Sequence, residues 1–206
     1  MKKTVRVILI FTAILYSCTD PTVYQAYPYN YDPEYSWGRA EFFGSYYSDY
    51  DNENNVVSLS LFTSSLYIDT VENSLEGNGQ YLFLEDIFIA PEDTILPDGT
   101  YTVSKSQEPF TLYPGEIFTA DEIEYTTGSF IYFLEEQSTY NKQKLIDRGT
   151  FTVSTSENEQ TIICNFVLAD STKLRGTFSM ELPYYDESIE TKAGAPRSKL
   201  SIKNIH

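Results

Sequence analysis

From Arg39 onward the chain alternates apolar and polar positions with a period of two, in one short run after another. In Gly99-Thr100-Tyr101-Thr102-Val103-Ser104, Tyr101 and Val103 fall on one face and the hydroxyl residues on the other. That is the pattern of a strand with one buried face, opened by a glycine that permits the preceding turn. Comparable runs cover 39–48, 55–63, 79–89, 99–105, 109–113, 128–136, 148–155, 160–169 and 173–182. Glu41–Ser48 and Val56–Thr63 flank a polar loop, Asp49–Asn55, and read as a hairpin. Gln160–Ala169 and Lys173–Leu182 form another around Asp170-Ser171-Thr172. No stretch reads as a long amphipathic helix, although Thr119–Tyr125 supplies a turn of one. Short strands at this spacing predict an all-β fold, a single antiparallel β-sandwich or barrel-like domain of about eight or nine strands.

An internal repeat sharpens the expectation. Tyr81–Asp86 aligns without a gap on Ile131–Glu136, fifty positions later. At the same offset Ile95–Ser104 falls on Leu145–Ser154, and Thr111-Leu112 on Thr161-Ile162. A fragment of the motif returns at Arg175-Gly176-Thr177-Phe178-Ser179. A shared strand–loop–strand phrase in both halves predicts a duplicated β unit.

The ends of the chain read differently. Lys2, Lys3 and Arg6 precede a short apolar run, Val7–Leu15, and the segment closes on Leu15-Tyr16-Ser17-Cys18. This is a secretory signal, too short to span a bilayer as a stable helix. The cysteine after a small residue resembles the lipobox of bacterial lipoproteins, which implies cleavage after residue 17 and lipidation of Cys18. Residues 18–38 then form a Pro/Tyr-rich tether, 39–185 the all-β domain and 186–206 a polar tail.

Charge removes whole classes of function. The chain carries a formal charge of −16, and loss of residues 1–17 takes away three cations and no anion. A surface this acidic repels nucleic acid and anionic lipid, so membrane attachment falls to the acyl chains. The sole histidine, His206, is the last residue, so no imidazole is held beside a nucleophile. With Cys18 acylated, Cys164 is the one thiol left, and its apolar strand makes it a buried hydrophobe. No zinc site, cofactor motif or catalytic signature is present, and the expectation is a protein that is not an enzyme.

Three features resemble sites. Asp49–Asn55 is acidic enough to suggest calcium but lacks the EF-hand glycine, and Ser60 stands where the bidentate Glu belongs. The doublets Glu85-Asp86 and Glu135-Glu136 occupy equivalent repeat positions at strand ends. A glycosidase needs two carboxylates facing across a cleft, whereas adjacent acids at strand ends are usually solvated. Trp37, Phe42 and Tyr46 are aromatic platforms on which a sugar would stack.

Lipobox, Pro/Tyr tether, acidic all-β body and the Leu96–Val103 phrase together resemble small outer-membrane lipoproteins of Bacteroidetes. Many of these are encoded beside Sus-type nutrient importers, in which a TonB-dependent barrel is capped by a lipoprotein lid. The resemblance implies a lipid-anchored outer-membrane protein facing the cell exterior. Its implied partners are the barrel and lid, and its implied role is accessory capture of an oligopeptide or glycan. The competing expectation is an independent surface glycan-binding module, followed by a carboxylate-based hydrolase and a fimbrial subunit.

Overall fold

A computed structural model describes residues 29–72, 74–120, 123–135, 143–188 and 201–202. The signal segment 1–17, Cys18, Glu136 and His206 lie outside the described residues. The strands are β1 (Glu34–Tyr35), β2 (Trp37–Phe42), β3 (Asn55–Phe62), β4 (Leu66–Asp69), β5 (Ser74–Gly77) and β6 (Gly79–Ile89). They continue as β7 (Gly99–Val103), β8 (Thr111–Leu112), β9 (Glu116–Ala120), β10 (Ile123–Thr127), β11 (Phe130–Leu134) and β12 (Gln143–Ser156). The last are β13 (Glu159–Leu168), β14 (Lys173–Leu174), β15 (Thr177–Met180), β16 (Tyr184–Asp186) and β17 (Ser201–Ile202). Among the described residues the only helical element is one 3-10 turn, Ser48–Tyr50.

Two long strands organise everything else. One edge of β6 pairs first with β11 and then with β8, and one edge of β12 pairs first with β11 and then with β7. Because β7 also pairs with β8, the five strands β6, β11, β12, β7 and β8 close into a small barrel. β3 and β2 extend the sheet beyond β6, while β13 and β15 extend it beyond β12. The two extensions meet along a parallel seam, with Glu34-Tyr35 against Thr177-Phe178 and Ala40–Phe42 against Tyr184–Asp186.

Repeat-equivalent strands pair with each other. Tyr101 lies opposite Phe151, its own counterpart fifty residues on, and the rings stack at 4.5 Å and 7°. Tyr81 faces Tyr132 and Leu82 faces Ile131, the crossed register that a local two-fold requires. The relation ends at the third strand, since β7–β8 is parallel and β12–β13 antiparallel. A shared sequence pattern thus builds the ring, and the departures from it build the outer strands.

Inward-facing residues of every long strand merge into one core that includes Leu59, Leu84, Tyr101, Phe151, Phe166 and Phe178. Rings and branched side chains, all buried, occupy this space. The centre of the barrel is a packed core.

Several expected boundaries move. Residues 29–38 belong to the fold rather than to the tether. The Tyr29 ring is buried, Arg175 donates its N–H to Tyr31 O at 2.7 Å, and Thr177 donates to Pro33 O at 3.0 Å. Proline at an edge still offers a carbonyl, so a segment with no periodicity can complete a ladder. The strand expected at 39–48 stops at Phe42, where the chain turns outward through Gly44 (φ +60°). The run 173–182 is split at Gly176, where a Cβ would lie 2.5 Å from the Tyr35 ring. The helical turn expected at Thr119–Tyr125 is instead the β9–β10 hairpin. In the polar tail expected at 186–206, Asp186 closes the strand Tyr184–Asp186 and Ser201-Ile202 pairs in parallel with Ser74-Leu75.

Candidate ligand-binding cleft

The outward face of β6 carries three large rings, Tyr81, Phe83 and Phe88, and each requires cover. Near one end the β4–β5 hairpin lays Leu66 and Leu75 over Tyr81 and Phe83, joined by Phe62 and Phe130. Toward the other end, the 43–50 segment folds Phe43 and Tyr46 over Phe88, with Tyr47 and Tyr113 packed alongside. Between these two apolar patches lies a polar interruption, Glu85-Asp86.

A β-bulge turns both acids to the same side. Leu84 pairs with Leu59 and Ile87 with Val57, so Glu85 and Asp86 together oppose the single residue Ser58. Neighbouring side chains of a regular strand point to opposite faces; the extra residue, with Asp86 in a left-handed conformation (φ +54°), breaks that alternation. Leu84 and Ile87 thereby both reach the core while both carboxylates stay outside it. Each carboxylate is fixed by a short hydrogen bond. Tyr47 Oη–H donates to Asp86 Oδ2 at 2.7 Å, and the Gly128 N–H donates to Glu85 Oε2 at 2.7 Å. Both residues are more than nine-tenths buried.

The Gly128 contact roots the β9–β10 hairpin, which forms its own two-stranded sheet. Its neck is tight enough that glycine is required. A Cβ on Gly128 (φ +73°) would lie 1.9 Å from Pro114 O, and one on Gly115 would lie 2.2 Å from Ser129 O. Backbone bonds from Gly115 N to Ile146 O (2.8 Å) and from Ile146 N to Ser129 O (3.0 Å) pin the neck to β12. Beyond the neck, alternation places Glu116 and Phe118 on one face of β9, opposite Thr127 and Tyr125 of β10. The Phe118 and Tyr125 rings stack at 5.2 Å and 18°, and both remain roughly half exposed.

Hairpin, bulge and the 43–50 segment enclose a cleft of about 800 Å³. The Phe118–Tyr125 pair and the Tyr46, Tyr47 and Tyr113 group line it, with Glu85 and Asp86 as its buried carboxylates. Lys105 is ion-paired with Glu116 at its exposed rim. The arrangement offers aromatic faces, hydroxyl groups and carboxylate acceptors to whatever enters.

The three rings singled out from sequence do not share a surface. Trp37 stacks on Phe62 at 3.8 Å and donates its indole N–H to Leu66 O at 2.9 Å, under the β4–β5 hairpin. Phe42 packs against the main core. Tyr46 alone reaches the cleft. Of the acid doublets, Glu85-Asp86 lies in the cleft, while Glu135 is half-buried beyond β11 and its neighbour Glu136 is outside the described residues. Asp49–Asn55 is knitted to two neighbouring loops by amides, including Asn54 Nδ2 to Gln107 O at 2.9 Å and Asn55 Nδ2 to Asp93 O at 2.9 Å. Among the described residues no three His, Cys, Asp or Glu converge as metal ligands. Cys164 is buried in the core, and that burial pushes its thiol well above the usual range, leaving it no reactive thiolate.

Phe118 and Tyr125 escaped the sequence reading, although Ile117, Phe118, Ile123, Tyr125 and Thr126 are the β-branched and aromatic residues strands favour. In comparisons with protein-family models, curated proteins and solved structures, none matched this chain.

Proposed function

We propose that this protein is a lipid-anchored surface protein, tethered through Cys18, which captures a nutrient in the cleft as an accessory of a Sus-type TonB-dependent importer. The observation that carries the capture reading is the bulge, which sets Glu85 and Asp86 side by side among aromatic rings on the outside of the barrel. Exposed stacked rings and buried acceptors in one cleft are what a binding site requires. The anchor and the importer rest on the Leu15–Cys18 lipobox and the resemblance it supports. An acidic surface keeps such a tethered domain soluble beside its partners.

The test is recovery of the tagged protein from its native outer membrane in mild detergent, followed by mass spectrometry. Stoichiometric recovery of a TonB-dependent barrel and its lid is the expected result. Recovery of the lipoprotein alone overturns the importer reading. The remaining reading is then an independent surface glycan-binding module, which the ring-lined cleft itself favours.

A further inference from the structure

Resting on the capture reading, we infer that the cleft selects an uncharged saccharide and rejects acidic ones. A sugar ring presents C–H faces to aromatic side chains and a fringe of hydroxyl donors around them. The cleft offers the complement: the stacked Phe118–Tyr125 pair, the Tyr46–Tyr47–Tyr113 group, and the Glu85 and Asp86 carboxylates between. The bonds from Tyr47 and Gly128 fix the orientation in which the Asp86 and Glu85 oxygens, acceptor-only when ionised, are presented to the cleft. Bonds from hydroxyl groups to such charged, buried acceptors are the strong kind.

Charge sets the exclusion. Among the described residues, Glu85, Asp86 and Glu116 line the cleft against one ammonium, Lys105, which is paired with Glu116. A uronate or sulfate entering this space meets like charge in a chain of net charge −16. A peptide that adds as a strand needs a row of main-chain partners. This cleft is instead lined by rings, hydroxyls and carboxylates.

The test is a glycan array followed by calorimetry on the full chain in mild detergent, using neutral oligosaccharides, oligogalacturonates and short peptides. Neutral saccharides should bind and oligogalacturonates should fail. Tyr125→Ala and Phe118→Ala, at half-exposed positions that tolerate truncation, should each weaken binding roughly 3- to 10-fold. Ile163→Thr, on the far side of the barrel, should leave affinity unchanged. Oligogalacturonate binding as tight as neutral binding overturns the inference, as does saccharide binding indifferent to both ring variants. Peptide binding that the ring variants weaken, without saccharide binding, overturns the saccharide assignment and leaves the capture reading intact. No binding by any class overturns both.

Discussion

Strands β6 and β13 lie in the same sheet and feed the same core, yet one is buried on both faces and the other on one. Every residue of β6 from Gln80 to Ile89 is buried, whereas β13 alternates, with Ile162, Cys164 and Phe166 inside and Ile163 and Asn165 in solvent. The difference lies in what the chain spends on the outer face. The 43–50 segment, the β4–β5 hairpin and the β9–β10 hairpin all gather on the β6 side. The β13 side is left bare behind a register-aligned row of small uncharged groups: Thr102, Thr150 and Asn165 in one line, Thr100, Thr152, Ile163 and Thr177 in the next. A bare wall needs only alternation. A covered wall needs extra chain, and extra chain laid over a bulge is what creates a cleft.

Replacing an outward-facing apolar side chain on each wall tests that contrast most forcefully. Phe88→Ala should cost about 3–5 kcal/mol, because Phe88 is fully buried between β6 and the 43–50 segment. Ile163→Thr, half exposed on the bare wall, should stay within about 0.5 kcal/mol. Denaturant unfolding of both variants decides it, and equal costs would break the comparison. Gly128→Ala comes next. Its positive φ and the collision with Pro114 O predict a loss of about 1–3 kcal/mol and a displaced hairpin. Glu85→Ala leaves the Gly128 N–H without its acceptor and should cost about 1.5–3 kcal/mol. The same variant should raise amide exchange at Gly128 before it affects β13.

The smallest effect is electrostatic. Burial alone would raise the Asp170 carboxyl, but hydrogen bonds from Lys144 and Thr172 outweigh it and hold it at about 2. A depressed carboxyl stabilises the folded state above its ordinary value and loses that contribution as pH falls through its folded value. The loss should therefore run between pH 3.8 and about 2. With the Asp170 side chain nearly half exposed, screening keeps the contribution below about 1 kcal/mol. Lys144→Gln should weaken the pH dependence in that window, leaving the part that the Thr172 bonds supply; an unchanged acid titration would count against the pair.

How much of this was legible in the sequence follows the same division. The strands of the bare wall were readable because one face is dry and the other wet: 160–169 was expected and Glu159–Leu168 is observed. The run 79–89 coincides with β6, carried by its density of apolar residues rather than by alternation. The repeat was legible, but not that its copies pair with each other, since register depends on partners remote in the chain. The parallel seam was invisible because Glu34-Tyr35 and Tyr184–Asp186 are too short to show a period. The cleft was half legible: Glu85, Asp86 and Tyr46 stood out as residue types. A single left-handed residue, Asp86, sets the two acids on one face, and alternation alone places them on opposite faces.

Hydrogen exchange of the full chain with and without a neutral oligosaccharide most directly tests whether the covered wall is the binding wall. Added protection should be confined to residues 43–50 and 113–129, with 150–165 unchanged. Protection gained along 150–165 or 177–179, or none anywhere at saturating sugar, would contradict that assignment.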